Sequence, residues 1–294
     1  IGIDVGSTTV KLAVLNDANE ILWAVYRRHH ADVRATVLEV LKEAAAQYPT
    51  QDFTVAITGS GGLLLSQWLG IEFVQEVIAS KTAVETFIPQ TDVAIELGGE
   101  DAKIIYFGTT LEERMNGVCA GGTGSFIDQM AALLQTDASG LDREAAHYQQ
   151  IYPIAARCGV FAKTDIQPLI NEGATKADLA ASIFQAVVNQ TISGLACGKP
   201  IRGHVAFLGG PLHFLPQLKA AFIRTLKLTD ETTIDPENSH LFAATGAAID
   251  ETPAEAQPLS ALIKRLDSGV QMDFELKRLP VLFEDCLLYT SPSP

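Results

Sequence analysis

Cysteines, basic clusters and long apolar runs are scarce in this chain of 294 residues, and each scarcity excludes a class of protein. Four cysteines do not make a disulfide framework, so a reducing cytoplasm is the expected compartment. The formal net charge is −14 and no Lys/Arg-rich run occurs, which argues against a surface for nucleic acid or anionic membrane. No apolar stretch approaches the roughly 20 residues that span a bilayer. We therefore expect neither nucleic acid nor a membrane among the partners.

Familiar nucleotide-binding and export signatures are missing as well. The sequence contains no GxxxxGK[ST] phosphate loop and no Rossmann fingerprint. It shows no signal peptide and begins with IGIDVG rather than with Met, so we expect a piece of a longer protein. Hydrophobic residues nevertheless make up 47% of the chain, which is enough for a large core in one large or two medium domains.

An internal repeat is the most informative feature that is present. IGIDVGSTTVKLAVL aligns without a gap with VAIELGGEDAKIIYF. Each copy reads as strand, tight glycine turn and strand, and the copies share an acid, a glycine and a lysine. Two such hairpins favour a duplicated domain. The matched pairs are Asp4 with Glu96, Gly6 with Gly98, and Lys11 with Lys103.

The segments around the two hairpins are typical of an α/β protein. Helical spacing of apolar residues predicts helices over ATVLEVLKEAAAQY, VIASKTAVETFI and SFIDQMAALL. LFAATGAAI predicts a helix of small residues that could pack closely against a neighbour. FTVAITGSGG and HVAFLGGP predict strands that end in glycine turns, and Thr175 with Asp178 predicts a capping box for a further helix. We expect a first lobe in residues 1–90, a second lobe in residues 91–250, and a linker with a truncated or foreign tail in residues 251–294.

The two hairpins and the glycine pair of FLGG predict a nucleotide site. Two acids that face each other across a cleft, Asp4 and Glu96, can hold Mg²⁺ and position the attacking water. The glycines of FLGG, Gly209 and Gly210, let backbone approach the nucleoside closely. Ordinary glycine hairpins without a ligand remain the alternative. Donors and contacts for phosphate are expected at Gly6, Ser7, Thr8, Thr9, Lys11, Gly98, Gly99 and Glu100.

This set of motifs resembles the superfamily of two-lobed ATPases that includes acetate kinase, sugar kinases, actin and heat-shock chaperones. The phosphate motifs would lie at residues 1–11 and 95–103, and the adenosine motif at residues 207–211. The resemblance implies an α/β fold of two duplicated lobes with ribonuclease H-like halves, and ATP or ADP as the bound nucleotide.

Two cysteines stand in similar contexts. Cys119 precedes GGTG and a predicted helix, and Cys158 precedes GVFAKTDIQPLI, which also reads as a helix start. The positive end of a helix dipole favours anions such as thiolates and iron–sulfur clusters. One chain offers two such thiols, and a two-fold dimer would bring four together. Buried packing cysteines, or a Cys₄ zinc site shared by a dimer, remain alternatives.

The sequences around these cysteines resemble a specific family. NGVCAGGTGSFIDQMA and RCGVFAKTDIQPLINEG are similar to the activator (component A) of 2-hydroxyacyl-CoA dehydratases, a family that includes the benzoyl-CoA reductase ATPase subunits. The resemblance covers about residues 1–250. It implies a homodimer that holds one [4Fe–4S] cluster, with Cys119 and Cys158 from each subunit as ligands. It also implies ferredoxin or flavodoxin as electron donor, and a dehydratase or reductase with its own Fe–S centre as acceptor.

The chain departs from the usual activators at two positions. Those proteins have Asp where Glu96 stands and Gln where Glu100 stands. ELGGEDAK, TGSGG and LPVLFED look more like the very long activase-related proteins, in which such a domain is followed by further domains. The last residues, DCLLYTSPSP, have no periodicity and look foreign, so Cys286 is excluded as a ligand. Cys197 has no paired context and is interpreted as structural.

The sequence therefore predicts an ATPase coupled to electron transfer. Gly121, Gly122 and Thr123 are expected to touch nucleotide on one side and to present Cys119 to the cluster on the other. One rival is a small-molecule kinase of the same superfamily, with a catalytic carboxylate from Asp101, Asp128 or Asp165. A second rival is a nucleotide-binding Fe–S scaffold or regulator without turnover. His29 and His30 follow two arginines at a predicted strand end, where a solvated surface is expected.

Overall fold

The computed structural model describes residues 1–116, 120–155, 158–249 and 255–268. Cys119, Cys286 and LPVLFED lie outside these residues. Within them the strands are β1 Gly2–Val5, β2 Thr9–Leu15, β3 Ile21–Arg28, β4 Asp52–Phe53, β5 Ala56–Thr58, β6 Glu72–Phe73, β7 Val93–Leu97, β8 Ala102–Tyr106, β9 Glu112–Met115, β10 Val205–Leu208, β11 Thr233–Ile234 and β12 Gln257–Pro258.

Helices connect and cover these strands. A π-helical turn, Ile192–Ala196, extends α7, and a 3₁₀ turn, Ser239–Leu241, precedes α10. The α-helices of the described residues are α1 Val33–Gln47, α2 Gly62–Leu69, α3 Glu76–Phe87, α4 Gly124–Leu133, α5 Ala138–Ala145, α6 Gly159–Asn171, α7 Lys176–Thr191, α8 Gly210–Phe214, α9 Pro216–Leu226, α10 Phe242–Ile249 and α11 Leu259–Asp267.

The first sheet has the strand order β3-β2-β1-β5-β6. β1 is antiparallel to β2 and parallel to β5, so a hairpin is followed by a crossover that contains α1. The helix forms there because Asp32 caps its first turn, accepting from the N–H of Ala35, while Val37, Val40 and Leu41 are buried at helical spacing. The helix predicted over residues 35–48 is thus confirmed.

The second sheet repeats this arrangement with the order β11-β10-β7-β8-β9. β7 is antiparallel to β8 and parallel to β10. In the two hairpins Asp4 pairs with Lys11 and Glu96 pairs with Lys103, so the acid and the lysine hold the same register positions. The predicted duplication is therefore structural, and the chain has the α/β fold of the two-lobed ATPases.

Two helices lie between the sheets. α10 packs against α3 and also against β1, β2 and β5 of the first sheet. α3 in turn places Ala83 and Val84 in a core with Leu208 of the second sheet. The small residues of α10 allow this contact, because a Cβ on Gly246 would lie 1.7 Å from the carbonyl oxygen of Ala79. The expectation that LFAATGAAI packs closely against a neighbour is confirmed.

The helices of the second half build one large core on its sheet. α7 contributes the fully buried Phe184, whose burial stabilises the fold by about 1.5–3 kcal/mol. Thr175 caps α7 as predicted, with Oγ1 accepting from the N–H of Asp178 at 3.1 Å. In a full capping box the Asp178 carboxylate would accept from the N–H of Thr175. Here it accepts instead from the N–H groups of Gln149 and Gln150. These bonds lower the pKa of Asp178.

One expectation about apolar length needs correction. Residues Lys176–Ala196 form a helical stretch of 21 residues with mean hydropathy 1.2, which by length and composition alone could cross a membrane. About two thirds of that stretch, 67%, is buried inside the protein, as in the core helix of a globular domain. Its apolar side chains pack in the core on the second sheet, so the high hydropathy reflects burial inside the protein.

The residues after position 254 also differ from the linker expected there. β12 pairs with β4, and α11 packs against α1 and α2. Leu262 and Leu266 are buried in the first core, and Arg34 donates to the carbonyl oxygen of Leu266. Within residues 255–268 the chain therefore returns to the first sheet and completes its core.

Candidate functional site

The two hairpin turns and the end of β10 meet at one cleft. The acids, the glycines of both turns and the glycine pair after β10, predicted separately, line it together. Asp101, another candidate, lies there as well. Sequence reasoning missed Tyr26, Glu76, Ser239, His240 and Phe242, which come from other elements. The lining residues are Asp4, Gly6, Ser7, Thr9, Lys11, Tyr26, Glu76, Glu96, Gly98, Gly99, Asp101, Gly209, Gly210, Pro211, Ser239, His240, Phe242 and Ala243.

Asp4 sits at the end of β1 with its side chain almost fully buried. Its Oδ2 accepts from Lys11 Nζ at 2.7 Å. Burial alone would lower the pKa of Lys11, but Asp4 chiefly, with Tyr26 and Glu76, raises that pKa above its usual value. Asp4 Oδ1 is buried and has no hydrogen-bond partner among the described residues. A buried carboxylate oxygen left in this way suits a cation or a cation-bound water.

Glu96 occupies the equivalent place at the end of β7. Its Oε2 accepts from Ser80 Oγ at 3.1 Å, and its Oε1 lies 3.7 Å from Lys103 Nζ. Lys103 is buried and also pairs closely with Glu76 at the start of α3. Burial alone would lower the pKa of Lys103, but Glu96 and Glu76 raise it above its usual value. The lysine therefore carries its charge between two carboxylates.

Glu76 is the third carboxylate of the cleft. Burial, together with the charges of Asp4 and Glu96, raises its pKa to about 7, against the opposing effect of Lys103. Burial and two neighbouring carboxylates both disfavour a third negative charge here. Its position at the beginning of a predicted helix carried no sequence signal of this role, because a first-turn acid is also what a helix dipole favours.

The two turns approach each other closely at Gly99. A Cβ at that position would lie 2.1 Å from Thr8 Oγ1, so only glycine lets the second turn pass the first. Gly209 has a φ of +87°, and a Cβ there would lie 2.1 Å from the carbonyl oxygen of Leu97. These glycines let three backbone segments converge, as expected for a cleft that closes on a flat or phosphorylated ligand.

Five predicted contact residues are absent from this lining, and one of them, Thr8, lines the adjoining outer part of the cleft instead. Glu100 is exposed, and its carbonyl oxygen accepts from the side chain of Asn116 at 2.9 Å. Gly121, Gly122 and Thr123 are absent from the cleft lining and instead precede α4. Thr123 is fully buried and donates to the carbonyl oxygen of Ala120.

The start of α4 contacts the second turn from behind. The N–H of Gly124 donates to the carbonyl oxygen of Gly98 at 3.0 Å, and the N–H of Ser125 donates to that of Gly99 at 2.7 Å. The helix that follows the loop expected to touch nucleotide therefore contacts the turn that lines the cleft. These two N–H groups are donated to protein carbonyls, so the start of α4 uses them within the protein.

Cys158 lies where the sequence placed it, at the N-cap of α6, with a half-buried side chain. Its predicted partner Cys119 lies outside the described residues, which contain no group of three or more His, Cys, Asp or Glu side chains placed to hold a metal ion. Val160 and Phe161, next to Cys158, are 67% and 64% exposed. Cys197 is exposed as well, so core packing does not explain it.

The cleft continues into an outer part, which shares Tyr26, Gly99 and Gly210 with the part described above. Arg28 on β3 and Asp128 on α4 form a two-pronged ion pair across it, with distances of 2.7 and 3.3 Å. The pair joins the first sheet to the helix that starts behind the second turn. Asp165, the other carboxylate considered for a kinase, accepts from the N–H of Ala155 at 2.8 Å.

An aromatic group borders the cleft near the end of β10. The His213 and His240 rings lie 3.9 Å apart, and Phe214 and Tyr26 pack edge-on against them. Burial chiefly, with His213 and Lys11, lowers the pKa of His240 to about 4, so this ring is neutral near pH 7. Burial and Lys219 also lower the pKa of His213.

The expectation for His29 was wrong. It is buried, whereas Arg28 and His30 on either side are exposed. Its Nε2 lies 3.2 Å from the carbonyl oxygen of Gly6, in the first turn of the cleft. Side chains alternate in direction at the end of β3, so His29 points inward between two exposed residues. Its ring then finds a hydrogen-bond partner in Gly6, which is distant in sequence.

Known proteins share both the sequence and this architecture. The model of the BadF/BadG/BcrA/BcrD ATPase family matches residues 1–249. The chain is 33% identical over 216 residues to the (R)-2-hydroxyglutaryl-CoA dehydratase activating ATPase of Acidaminococcus fermentans, covering 71% of this chain and 82% of that protein.

Solved structures agree. The crystal structure of component A of the A. fermentans (R)-2-hydroxyglutaryl-CoA dehydratase matches with a TM-score of 0.72 and 27% identity, over 90% of this chain and 97% of that one. The activator of the 2-hydroxyisocaproyl-CoA dehydratase from Clostridium difficile, with bound ADPNP, has the same fold, with a TM-score of 0.70 and 23% identity over 91% and 95% of the two chains. The duplicated hairpins, the shared cleft and these likenesses place the chain in the BadF/BadG/BcrA/BcrD ATPase family.

Proposed function

We propose that this chain is an ATP-dependent activator that passes a low-potential electron to a 2-hydroxyacyl-CoA dehydratase or a related reductase. Membership of the ATPase family and the similarity to dehydratase activators support the class of activity. The observation that carries the coupling is the pair of hydrogen bonds from Gly124 and Ser125 to the carbonyls of Gly98 and Gly99. Through them the cleft contacts the start of α4, the helix that follows Cys119 in the sequence.

ATP would bind with its phosphates between the two hairpin turns. Ser7, Thr9 and the turn glycines offer donors, and Gly209 with Gly210 borders the nucleoside end. Asp4 and Glu96 flank the reaction site, where their carboxylates orient water, and Lys11 and Lys103 hold those carboxylates in place. Mg²⁺, when bound near the orphaned oxygen of Asp4, would neutralise charge on the transferred phosphate.

The redox part of the proposal rests on Cys158 and Cys119. Cys158 presents a thiol at the start of α6, where the helix dipole favours a thiolate ligand. Two subunits would supply four thiolates to hold one [4Fe–4S] cluster, which would supply one-electron chemistry with ferredoxin or flavodoxin as the donor. Val160 and Phe161 give apolar surface beside Cys158 that a second subunit would cover. Such a homodimer would act in the cytoplasm.

Lobe closure would connect the two parts. Binding of ATP between the turns pulls the Gly98–Gly99 turn, and the two hydrogen bonds transmit that movement to α4. α4 in turn shifts the preceding segment with Cys119. The nucleotide state thus changes the position of α4 and of the surface where the partner docks.

The test uses anaerobically purified protein. Iron and sulfide are counted, the dimer is measured by sedimentation with and without the metal, and a chelator removes iron in the presence of ADP or a non-hydrolysable ATP analogue. We expect about four irons per dimer, weaker dimerisation without them, and faster stripping with the ATP analogue. Zinc without sulfide, a cluster-loaded monomer, or equal stripping rates would each contradict the proposal.

A small-molecule kinase is the second candidate, because Asp101 lines the cleft beside the second turn. A panel of sugars and carboxylic acids, assayed with ATP for a phosphorylated product, decides between the two. Product formation at the rate of ATP turnover, in protein that lacks iron, would favour the kinase. ATP turnover that needs no acceptor favours the activator.

A further inference from the structure

His29 sits against the first phosphate turn with both ring nitrogens engaged. The N–H of Ala31 donates to Nδ1 at 3.1 Å, so Nδ1 is the unprotonated acceptor. The hydrogen of the neutral ring is then on Nε2, which donates to the carbonyl oxygen of Gly6 at 3.2 Å. The backbone N–H of His29 also donates to the carbonyl oxygen of Thr8 at 3.2 Å. One residue therefore holds the carbonyls on both sides of Ser7.

We infer that His29 is a positioning residue for phosphate binding, and this inference rests on the proposed nucleotide site. A trans peptide is planar, with its C=O and N–H pointing in opposite directions. Fixing the Gly6 carbonyl toward His29 therefore directs the N–H of Ser7 away from it. Ser7 lines the cleft and His29 does not, so the Ser7 N–H is aimed at the space where phosphate would bind.

The turn that carries His29 is itself held in an unfavourable conformation. His30 and Ala31 have φ values of 46° and 68°, in the left-handed region that residues with a Cβ rarely adopt. The Ala31 bond to Nδ1 and a 2.7 Å bond from the N–H of Asp32 to the carbonyl of His29 support this conformation. Strained backbone that is fixed by several bonds is typical of places where a site is set in advance.

The alternative is that His29 only stabilises the hairpin. The two possibilities can be distinguished by nucleotide affinity. A positioning role weakens binding more for nucleotides with more phosphates, whereas a stability role weakens binding of every nucleotide equally. His29→Gln keeps a side-chain N–H that reaches Gly6. His29→Asn keeps an acceptor for Ala31 but is too short to donate to Gly6. An exposed histidine outside this turn supplies the matched control, His147→Gln.

Dissociation constants are measured for AMP, ADP and a non-hydrolysable ATP analogue, with kcat and KM for ATP, at a temperature well below each variant's Tm. We expect His29→Asn to lose affinity in proportion to the number of phosphates, reaching roughly tenfold for the ATP analogue. His29→Gln should recover to within about threefold of the wild type, since the Gly6 bond is restored. His147→Gln should match the wild type.

Equal losses for AMP and the ATP analogue would overturn the inference, because the effect would then be general stability. No loss, or a His29→Gln variant as weak as His29→Asn, would overturn it as well. A wild-type chain that binds none of the three nucleotides would instead overturn the proposed function. The two failures are therefore distinguishable.

Discussion

Asp4 and Lys11 face each other across the β1–β2 ladder, with Oδ2 and Nζ 2.7 Å apart. Glu96 and Lys103 repeat the pairing across β7–β8, although Lys103 lies nearer to Glu76. The two hairpins thus supply the same chemical pair from opposite sides of one cleft. Only the Asp4 pair leaves a buried carboxylate oxygen, Oδ1, without a hydrogen-bond partner among the described residues. For the proposed ATPase site, this asymmetry favours the Asp4 side for a cation.

The two acids should be needed for turnover. We expect Asp4→Asn or Glu96→Gln to slow ATP hydrolysis by roughly 10²-fold or more, because the metal or the attacking water loses its orienting charge. Asp17→Asn, at an exposed position, is the matched control. Steady-state phosphate release measures the effect, and circular dichroism checks folding. Unchanged turnover in both cleft variants would mean that the hairpin repeat is architecture only.

Glu76 should make stability depend on pH. Its pKa is about 7 in the folded protein and 4.5 in the reference state. Between these values the unfolded chain releases the proton while the folded chain keeps it. The free energy of unfolding therefore falls as pH rises from 4.5 to 7, by up to roughly 3 kcal/mol, and the loss stays constant above pH 7.

Glu76→Gln cannot titrate, so it isolates this effect. We expect the difference in unfolding free energy, variant minus wild type, to rise across pH 4.5 to 7 and to level off above. Urea unfolding at several pH values measures it. A difference that is flat with pH would show that Glu76 ionises in the folded protein at its ordinary pKa.

The cysteines give a prediction with an internal control. Cys119→Ser and Cys158→Ser should each abolish the cluster, because a two-fold site loses two of four thiolates at once. Cys197→Ser and Cys286→Ser should retain it. Iron content and the visible absorption spectrum of anaerobic preparations measure the outcome. Full iron content in either of the first two variants would refute the ligand assignment.

The contact between α3 and α10 should tolerate no side chain at Gly246. We expect Gly246→Ala to destabilise the protein by about 3 kcal/mol, since the new Cβ would lie 1.7 Å from the backbone oxygen of Ala79. Gly108→Ala is the control, because its nearest neighbour would be 4.0 Å away. Thermal unfolding compares them. Equal Tm values would show that the two helices can separate without cost.

Local patterns in the sequence predicted much of the framework. The register of Asp4 with Lys11, and of Glu96 with Lys103, follows from a short glycine turn in an antiparallel hairpin, where pairing is set by residues close in sequence. The start of α6 after Cys158 was likewise predicted. These features depend on neighbouring residues, so periodicity and turn chemistry were sufficient for them.

Other features were decided by contacts between distant residues. Glu76 entered the cleft because α3 packs between the sheets, and His29 was buried because its ring met the carbonyl of Gly6. The start of α4 met the second turn from behind, and α11 packed against α1 and α2. Periodicity records which face of an element is apolar but not which partner covers it. The sequence therefore determined the two hairpins and their acids, whereas only tertiary packing determined what surrounds them.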